Sequence, residues 1–227
     1  MVGQRFIALL ENHPWYEVVT VAASARSAGK TYEEAVGDNW KMDTPMPEAV
    51  KNLVVMNVNE VEEVAAGVDF VFSAVNMSKD EIKAIEEEYA KTETPVVSNN
   101  SAHRWTPDVP MVIPEVNPED VAKHNGIIAN PNCATIIGLV AVNPLHELGG
   151  IKRMVVSTYQ AASGAGVGGL RELEAQMARI SAGEKVEDPK AFAYQLACNL
   201  IPQIGGFDEV GYTSEEMKMQ NEGRKIM

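Results

Sequence analysis

The strongest constraint on the fold of this chain is the alternation, through its first half, of short β-branched runs with stretches of helical periodicity. Between two of these runs, Ile82, Ile85 and Tyr89 recur at helical spacing within residues 79–91, which predicts a crossover helix. Strands that alternate with helices in this way form a parallel sheet. The sequence therefore predicts an α/β fold that opens on a doubly wound, Rossmann-like domain. The predicted strands are Val18–Ala22, Leu53–Met56, Val68–Ser73 and Val96–Ser98.

The pattern changes after Asn125 and Gly126, where we place a domain boundary. The second part contains a strand-like run at Met154–Thr158, then a Gly-rich turn, then a helical pattern at Leu170–Ile180. Its last residues, Glu215–Met227, also predict a helix. Residues 1–125 and 126–227 are thus predicted to form two domains, the second of α+β type.

The chain begins within a helical pattern, because Val2, Phe6, Ile7 and Leu10 form one apolar stripe. A doubly wound nucleotide-binding domain normally opens on a strand and a Gly-rich loop. The final predicted helix has no Gly or Asn after it to end it. We therefore expect a fragment that lacks the first strand, the Gly-rich loop and the C-terminal part, so that the second domain is incomplete.

Composition narrows the class of protein. Acidic residues outnumber basic ones by 32 to 19, and the formal net charge of -13 argues against a nucleic-acid-binding surface. No apolar run is long enough to span a bilayer. Two cysteines, Cys133 and Cys198, are too few for a disulfide scaffold and fit the reducing cytoplasm. Cys198 lies in an apolar run and is predicted to be buried on a helix.

Cys133 has the setting of a reactive thiol. It follows Asn130-Pro131-Asn132, between a short apolar run at 127–129 and a longer one at 136–145. A strand that ends at this turn and restarts as a helix would place Cys133 in the first helical turn. Unpaired backbone N–H groups and the helix dipole favour a thiolate there and offer donors to a developing oxyanion. The alternative is that Cys133 is a small buried hydrophobic residue.

Six stretches, in this order, resemble the aspartate-semialdehyde dehydrogenase family and together cover the chain. The resemblance implies NADP-dependent reduction of L-aspartyl 4-phosphate to L-aspartate 4-semialdehyde through a cysteine thioester. It also implies a role in lysine, threonine and methionine biosynthesis, and a homo-oligomer at full length. The stretches are 2–5, 24–30, 98–104 with 107–110, 132–135, 158–166, and 215–218 with Glu222, Lys225 and Ile226.

The resemblance also implies roles for individual residues. Cys133 is the nucleophile, and Gln160 orients the reacting acyl group. The substrate phosphate is implied to meet Arg104, Lys218 and Asn132, and the substrate amino group to meet Glu215. Gln160 is otherwise an ordinary polar residue at a strand end, and Glu216 and Glu222 are otherwise solvated helix charges.

The cofactor preference follows from the residues after the second strand of a nucleotide-binding domain, where the adenine ribose lies. Arg26 and Ser27 occupy that place, and they suit a 2′-phosphate, so the sequence predicts NADP rather than NAD. Ser163 and Gly164 belong to a small-residue stretch that would let the backbone approach a nicotinamide, or that forms a plain turn. No metal site is predicted.

Two alternative functions remain open at this point. A related acyl-CoA reductase, such as one acting on malonyl-CoA, would use the same cysteine chemistry, although Arg104 and Glu215 favour the amino-acid phosphate. A non-catalytic homologue that serves as an interaction subunit is the other. The resemblance implies a general-base histidine, but none of the four histidines of this chain occupies the matching motif. We interpret them as surface or helix-packing residues, namely His13, His103, His124 and His146. We therefore expect this chain to have little activity.

Overall fold

The computed structural model describes all 227 residues. The chain separates into two compact units, the first formed by Met1–Asn143 with Glu222–Met227 and the second by Pro144–Asn221. Both divisions fall within helices. The α-helices are α1 (Val2–Leu10), α2 (Tyr32–Val36), α3 (Glu48–Lys51), α4 (Val61–Ala65), α5 (Lys79–Lys91), α6 (Cys133–Gly149), α7 (Gly166–Ser181) and α8 (Ser214–Ile226).

All paired strands of the first unit are parallel, which confirms the predicted fold class. They form a two-stranded sheet, β1-β2, and a three-stranded sheet in the order β3-β4-β5. Five strands are present: β1 (Ala22–Ala23), β2 (Met56–Asn57), β3 (Val71–Ser73), β4 (Val96–Ser98) and β5 (Ile127–Ala129).

The three-stranded sheet brings several chain segments to one edge. Ser73, Ser98 and Ala129 are the last residues of β3, β4 and β5, and they are aligned with one another across the sheet. Ligands bind at the carboxyl ends of strands in open parallel sheets. The segments that follow Ser98 and Ala129 carry Arg104 and Cys133, so the sheet places both on the same edge.

The crossover helix α5 forms where the sequence predicts it. Ser78 and Glu81 make a capping box at its start, in which Ser78 Oγ accepts from the Glu81 N–H and Glu81 accepts from the Ser78 N–H. Ile82 and Tyr89 are buried on its inner face. The core beneath the sheet is apolar and includes Val58, Val64, Tyr89, Val96, Ile127 and Ala129.

The two earliest strands are shorter than predicted. Only the end of the Val18–Ala22 run is paired, where the Met56 N–H donates to the Val21 carbonyl and Ala22 pairs with Met56. The residues of this run before Val21 have no hydrogen-bonded neighbour, and Val19 is exposed. Strand formation requires such a neighbour, so the β-branched run alone was insufficient.

Two predictions for the second unit are wrong. Met154–Thr158 forms no strand because no other strand pairs with it, and Val155 is 80% exposed. Cys198 is exposed rather than buried, and it lies in a turn at φ 57° instead of on a helix. The predicted helices α7 and α8 are confirmed.

The amphipathic start of the chain forms α1, as predicted. Ile7 is its buried residue, and the Phe6 ring stacks on Phe72 of β3 at a centroid distance of 4.8 Å. None of the helices combines the length and the apolar character required to cross a bilayer.

Candidate active site

Cys133 is the first residue of α6, as the sequence predicts, and it follows β5 after a three-residue turn. Its side chain is exposed, which excludes the alternative of a buried packing cysteine. A nucleophile must be reachable by its substrate. The first requirement of the predicted chemistry is therefore met.

Asn132 determines where α6 begins. Its Oδ1 accepts from the backbone N–H groups of Ala134 (2.9 Å) and Thr135 (3.2 Å), which is N-cap geometry. Asn132 is 6% exposed. The residue before the candidate nucleophile is thus a buried cap that fixes the orientation of the first helical turn.

Arg104 is joined to the same turn. Its Nε donates to the Asn130 carbonyl (2.9 Å), and its Nη1 donates to Glu222 Oε1 (3.1 Å). The residue is only 7% exposed. Its Nη2 makes no hydrogen bond and remains able to bind an anion. The structure therefore brings Arg104, Asn132 and Cys133 together.

Glu222 is not the solvated helix charge that the sequence allowed. It is fully buried and pairs with Arg104, and its Oε2 accepts from the Asn132 backbone N–H at 2.7 Å. A signal was present in the sequence, because Glu222 precedes the buried Ile226 by four residues and so shares its helix face. The charged neighbours of Glu222 on α8 masked that signal.

Lys225 ties α8 to the loop that carries Arg104. Its Nζ donates to the carbonyl groups of Arg104 (2.7 Å) and Val109 (3.1 Å), and it lies 5.6 Å from the centre of the Trp105 ring. Desolvation by burial lowers the pKa of the Lys225 ammonium. The backbone of Arg104 is held by Lys225 while its guanidinium is held by Glu222.

Glu86 of α5 joins the carboxyl ends of two strands. Its Oε1 accepts from Ser73 Oγ (2.5 Å), Ser98 Oγ (2.8 Å) and Asn100 Nδ2 (3.1 Å). Glu86 is 1% exposed. A buried carboxylate is tolerated where such donors surround it. Glu86 was not predicted from the sequence, because it lies in a run of three glutamates.

The residues predicted to recognise the cofactor 2′-phosphate lie in the turn after β1. The Ser27 N–H donates to the Ser24 carbonyl at 2.9 Å, which closes the turn. Arg26 is exposed, and its guanidinium makes no hydrogen bond. An uncommitted guanidinium beside a hydroxyl fits a phosphate group.

The remaining predicted residues belong to the second unit. Gln160 is exposed, and Ser163 and Gly164 lie in a short 3-10 helix, Ala162–Ala165. A Cβ at Gly164 would collide with the Gln160 amide nitrogen, so the glycine leaves room for that side chain. Glu215 is 8% exposed and pairs with Lys218 at 2.9 Å.

A cavity of the first unit lies away from these residues. It has a volume of about 620 Å³ and is lined by α1, residues 15–22, β3 and part of α5. Neither Cys133, Arg104 nor Arg26 lines it. The candidate site is therefore formed by the side chains around Cys133 and is separate from this cavity.

Both parts of the chain match known protein families. Residues 1–124 match the family described as "Semialdehyde dehydrogenase, NAD binding domain", and residues 142–227 match "Semialdehyde dehydrogenase, dimerisation domain". The chain belongs to the semialdehyde dehydrogenase family. Its first unit thus contains the NAD-binding domain of that family.

Individual relatives of the chain are named aspartate-semialdehyde dehydrogenase. The aspartate-semialdehyde dehydrogenase of Aquifex aeolicus is 42% identical over 231 residues, which cover 100% of this chain and 62% of the relative. The crystal structure of aspartate semialdehyde dehydrogenase II from Vibrio cholerae, complexed with ASA, is similar with a TM-score of 0.80 and 36% identity, covering 99% of this chain and 62% of that one. The resemblance inferred from the sequence is confirmed, and the chain spans about 62% of the length of these two relatives.

One relative of known structure was determined with a nicotinamide cofactor. Aspartate semialdehyde dehydrogenase with NADP from Candida albicans is 35% identical, with a TM-score of 0.58, and the match covers 66% of this chain and 45% of that one.

Proposed function

We propose that this chain contains the acyl-accepting site of an enzyme that reduces L-aspartyl 4-phosphate to L-aspartate 4-semialdehyde. One observation supports this most: an exposed cysteine begins a helix, and an arginine with an uncommitted Nη2 is hydrogen-bonded to the turn before it. A thiolate and an anion-binding guanidinium are the two groups that acyl transfer from an acyl phosphate needs. We propose the identity of the substrate from the names of the relatives.

In the proposed first step, the Cys133 thiolate attacks the acyl carbon. A sulfur–carbon bond forms, the carbon–oxygen bond to phosphate breaks, and phosphate leaves with the electron pair. The nicotinamide cofactor, when bound, supplies the hydride that reduces the thioester carbonyl. Collapse of the resulting thiohemiacetal releases the aldehyde and returns the thiolate at Cys133.

The developing oxyanion needs a fixed donor. Asn132 Oδ1 already occupies the N–H groups of Ala134 and Thr135. We therefore assign the oxyanion to the Cys133 backbone N–H, which makes no hydrogen bond. The sequence alone allowed any backbone N–H of the first helical turn to bind the oxyanion. The cap formed by Asn132 leaves the Cys133 N–H as the proposed donor.

Four side chains are proposed to bind the substrate. Arg104 and Lys218 bind the departing phosphate, with Asn132 beside it, and Glu215 binds the substrate amino group. Lys218 Nζ donates to Glu215 Oε2 at 2.9 Å, so the cation and the carboxylate of this set lie side by side on one face of α8. Gln160 orients the acyl group, and the adjacent Gly164 provides the space for its amide.

The proposed cofactor is NADP. Arg26 and Ser27 would hold its 2′-phosphate, because an exposed guanidinium without a partner and a neighbouring hydroxyl lie in the turn after β1. Ser163 and Gly164 would lie against the nicotinamide.

We also propose that the full-length protein is a cytoplasmic homo-oligomer that takes part in lysine, threonine and methionine biosynthesis. The boundary between its two domains is proposed to lie between residues 125 and 126.

Acyl capture tests this function and distinguishes it from acyl-CoA reduction. The purified chain is incubated with L-aspartyl 4-phosphate or with malonyl-CoA, and the modified residue is mapped by mass spectrometry. We expect an aspartyl thioester at Cys133 and none in Cys133→Ser. Acylation by malonyl-CoA alone would support the acyl-CoA reductase, and acylation by neither would support a non-catalytic homologue.

A further inference from the structure

Two buried side chains close a ring around the turn that precedes Cys133. Arg104 Nε donates to the Asn130 carbonyl and Arg104 Nη1 donates to Glu222 Oε1, at 2.9 and 3.1 Å. Glu222 Oε2 in turn accepts from the backbone N–H of Asn132 at 2.7 Å. The Arg104–Glu222 pair therefore bridges the two ends of the Asn130–Asn132 turn.

We propose that Glu222 is a positioning residue for both the Cys133 thiol and the Arg104 guanidinium, which rests on the acyl-acceptor role proposed for Cys133. One oxygen of the carboxylate holds Arg104. The other holds the backbone of Asn132, whose side chain caps α6 and so orients Cys133. A single buried carboxylate thereby fixes the nucleophile relative to the group that would receive phosphate.

The ring requires a carboxylate and not merely a polar side chain of the same size. Glu222 accepts at both oxygens, from two donors that cannot accept in return. Glutamine has one acceptor and one NH₂ donor. Whichever way its amide is turned, that NH₂ faces the N–H of either Arg104 or Asn132. Glu222→Gln is therefore nearly isosteric, yet it breaks one link of the ring.

Amide hydrogen exchange at Asn132, followed by NMR in the full chain, tests the ring directly. We expect the Asn132 N–H to exchange about tenfold faster in Glu222→Gln, because its charged acceptor is replaced either by an NH₂ group that cannot accept or by a neutral amide oxygen in a ring that is broken at Arg104. Arg224→Gln is the matched control. Arg224 lies in the last turn of α8, is exposed and makes no hydrogen bond, so its substitution should leave exchange at Asn132 unchanged. Unchanged exchange in Glu222→Gln would overturn the proposal.

A second variant keeps the test valid if Glu222→Gln does not fold. Replacing the ion pair by Arg104→Met with Glu222→Met exchanges two buried charges for apolar side chains of similar length, a change that folds commonly tolerate. The same loss of protection at Asn132 is expected. Retained protection would show that the pair does not hold the turn.

A rate comparison separates positioning from a purely structural role. Acetyl phosphate transfers its acetyl group to the Cys133 thiolate, with phosphate leaving with the electron pair, whereas iodoacetamide reports only access and nucleophilicity. The ratio of acetylation to alkylation should fall about tenfold in Glu222→Gln and stay constant in Arg224→Gln. A constant ratio in Glu222→Gln would contradict the positioning role. Failure of the wild type to be acetylated would instead contradict the proposed function, and exchange at Asn132 would still decide whether Glu222 holds the turn.

Discussion

Glu86 faces His103 in the interior of the first unit. Glu86 Oε2 lies 3.9 Å from His103 Nε2, and neither atom has a hydrogen-bond partner. Both residues are 1% exposed. His103 directly precedes Arg104, and its Nδ1 is 3.1 Å from Thr106 Oγ1. The contact therefore lies where the loop that carries the proposed phosphate-binding arginine meets the sheet.

Removal of the Glu86 carboxylate should destabilise the fold strongly. Glu86→Ala leaves Ser73, Ser98 and Asn100 without their shared acceptor, at a cost of about 3 kcal/mol. Glu86→Gln retains an acceptor oxygen and should cost about 1 kcal/mol. Urea unfolding of both variants measures the difference. Equal losses would contradict the claim that one retained acceptor oxygen at this position preserves most of the stabilisation.

Substitution of Gly164 should move Gln160 without unfolding the protein. The added Cβ would meet the far end of a flexible side chain, so the free energy of unfolding should change by less than about 1 kcal/mol. The side-chain amide resonance of Gln160 should shift in Gly164→Ala.

Gly168→Ala provides the control for this prediction. Gly168 lies within α7, and a Cβ added there would meet no atom within 4 Å, so alanine fits at this position. Its substitution should raise stability by up to about 1 kcal/mol and leave the Gln160 resonance in place. A Gln160 amide that shifts in neither variant would contradict the close approach at Gly164.

Tyr89 should make stability fall at alkaline pH. Burial raises the pKa of its hydroxyl from 10.0 to about 12, and the hydroxyl donates to the Val58 carbonyl at 2.9 Å. Between these pH values the unfolded chain loses the proton and the folded chain keeps it. The contribution of Tyr89 is therefore complete below pH 10 and decreases by about 1.4 kcal/mol per pH unit above it.

The variant Tyr89→Phe isolates this effect. At about pH 8 it should be less stable than the wild type by about 1 kcal/mol, because the hydrogen bond to Val58 is lost. The difference should close by about pH 11. Urea unfolding at both pH values checks the sign, and a difference that stays constant would show that Tyr89 does not titrate in this range.

Arg26→Ala should discriminate between the two nicotinamide cofactors. Loss of a guanidinium from the 2′-phosphate should raise the Kd for NADPH by about tenfold or more, since a hydrogen bond between charged groups is removed. NADH lacks that phosphate and serves as the internal control, with an expected change of less than about twofold. Fluorescence titration of both cofactors measures the values. Equal losses would refute the assignment of Arg26.

The sequence predicted those elements whose boundaries are encoded locally. α5 begins and ends where expected because the Ser78–Glu81 capping box and the apolar positions of the helix agree. β4 likewise matches its predicted range. The run at Met154–Thr158 shows the opposite case, since a strand also depends on a hydrogen-bonded neighbour that local sequence does not reveal. Cys198 was misplaced because apolar composition alone does not specify a helix.

The same distinction holds for the candidate site. The position of Cys133 was predictable, because the preceding Asn-Pro-Asn ends a strand and supplies the cap. Glu86 and Glu222 were not, since both lie among other acidic residues on helices. Their burial depends on partners distant in sequence: Glu222 contacts Arg104, 118 residues away, and Asn132, 90 residues away.

The relative alkylation rates of Cys133 and Cys198 test the central claim most directly. Both thiols are exposed, so access alone does not favour either, and only Cys133 begins a helix. Limited treatment of the wild-type chain with iodoacetamide, followed by peptide mass spectrometry, gives both rates in one sample. The helix N-terminus should make Cys133 react first. Faster modification of Cys198 would contradict the assignment of Cys133 as the nucleophile.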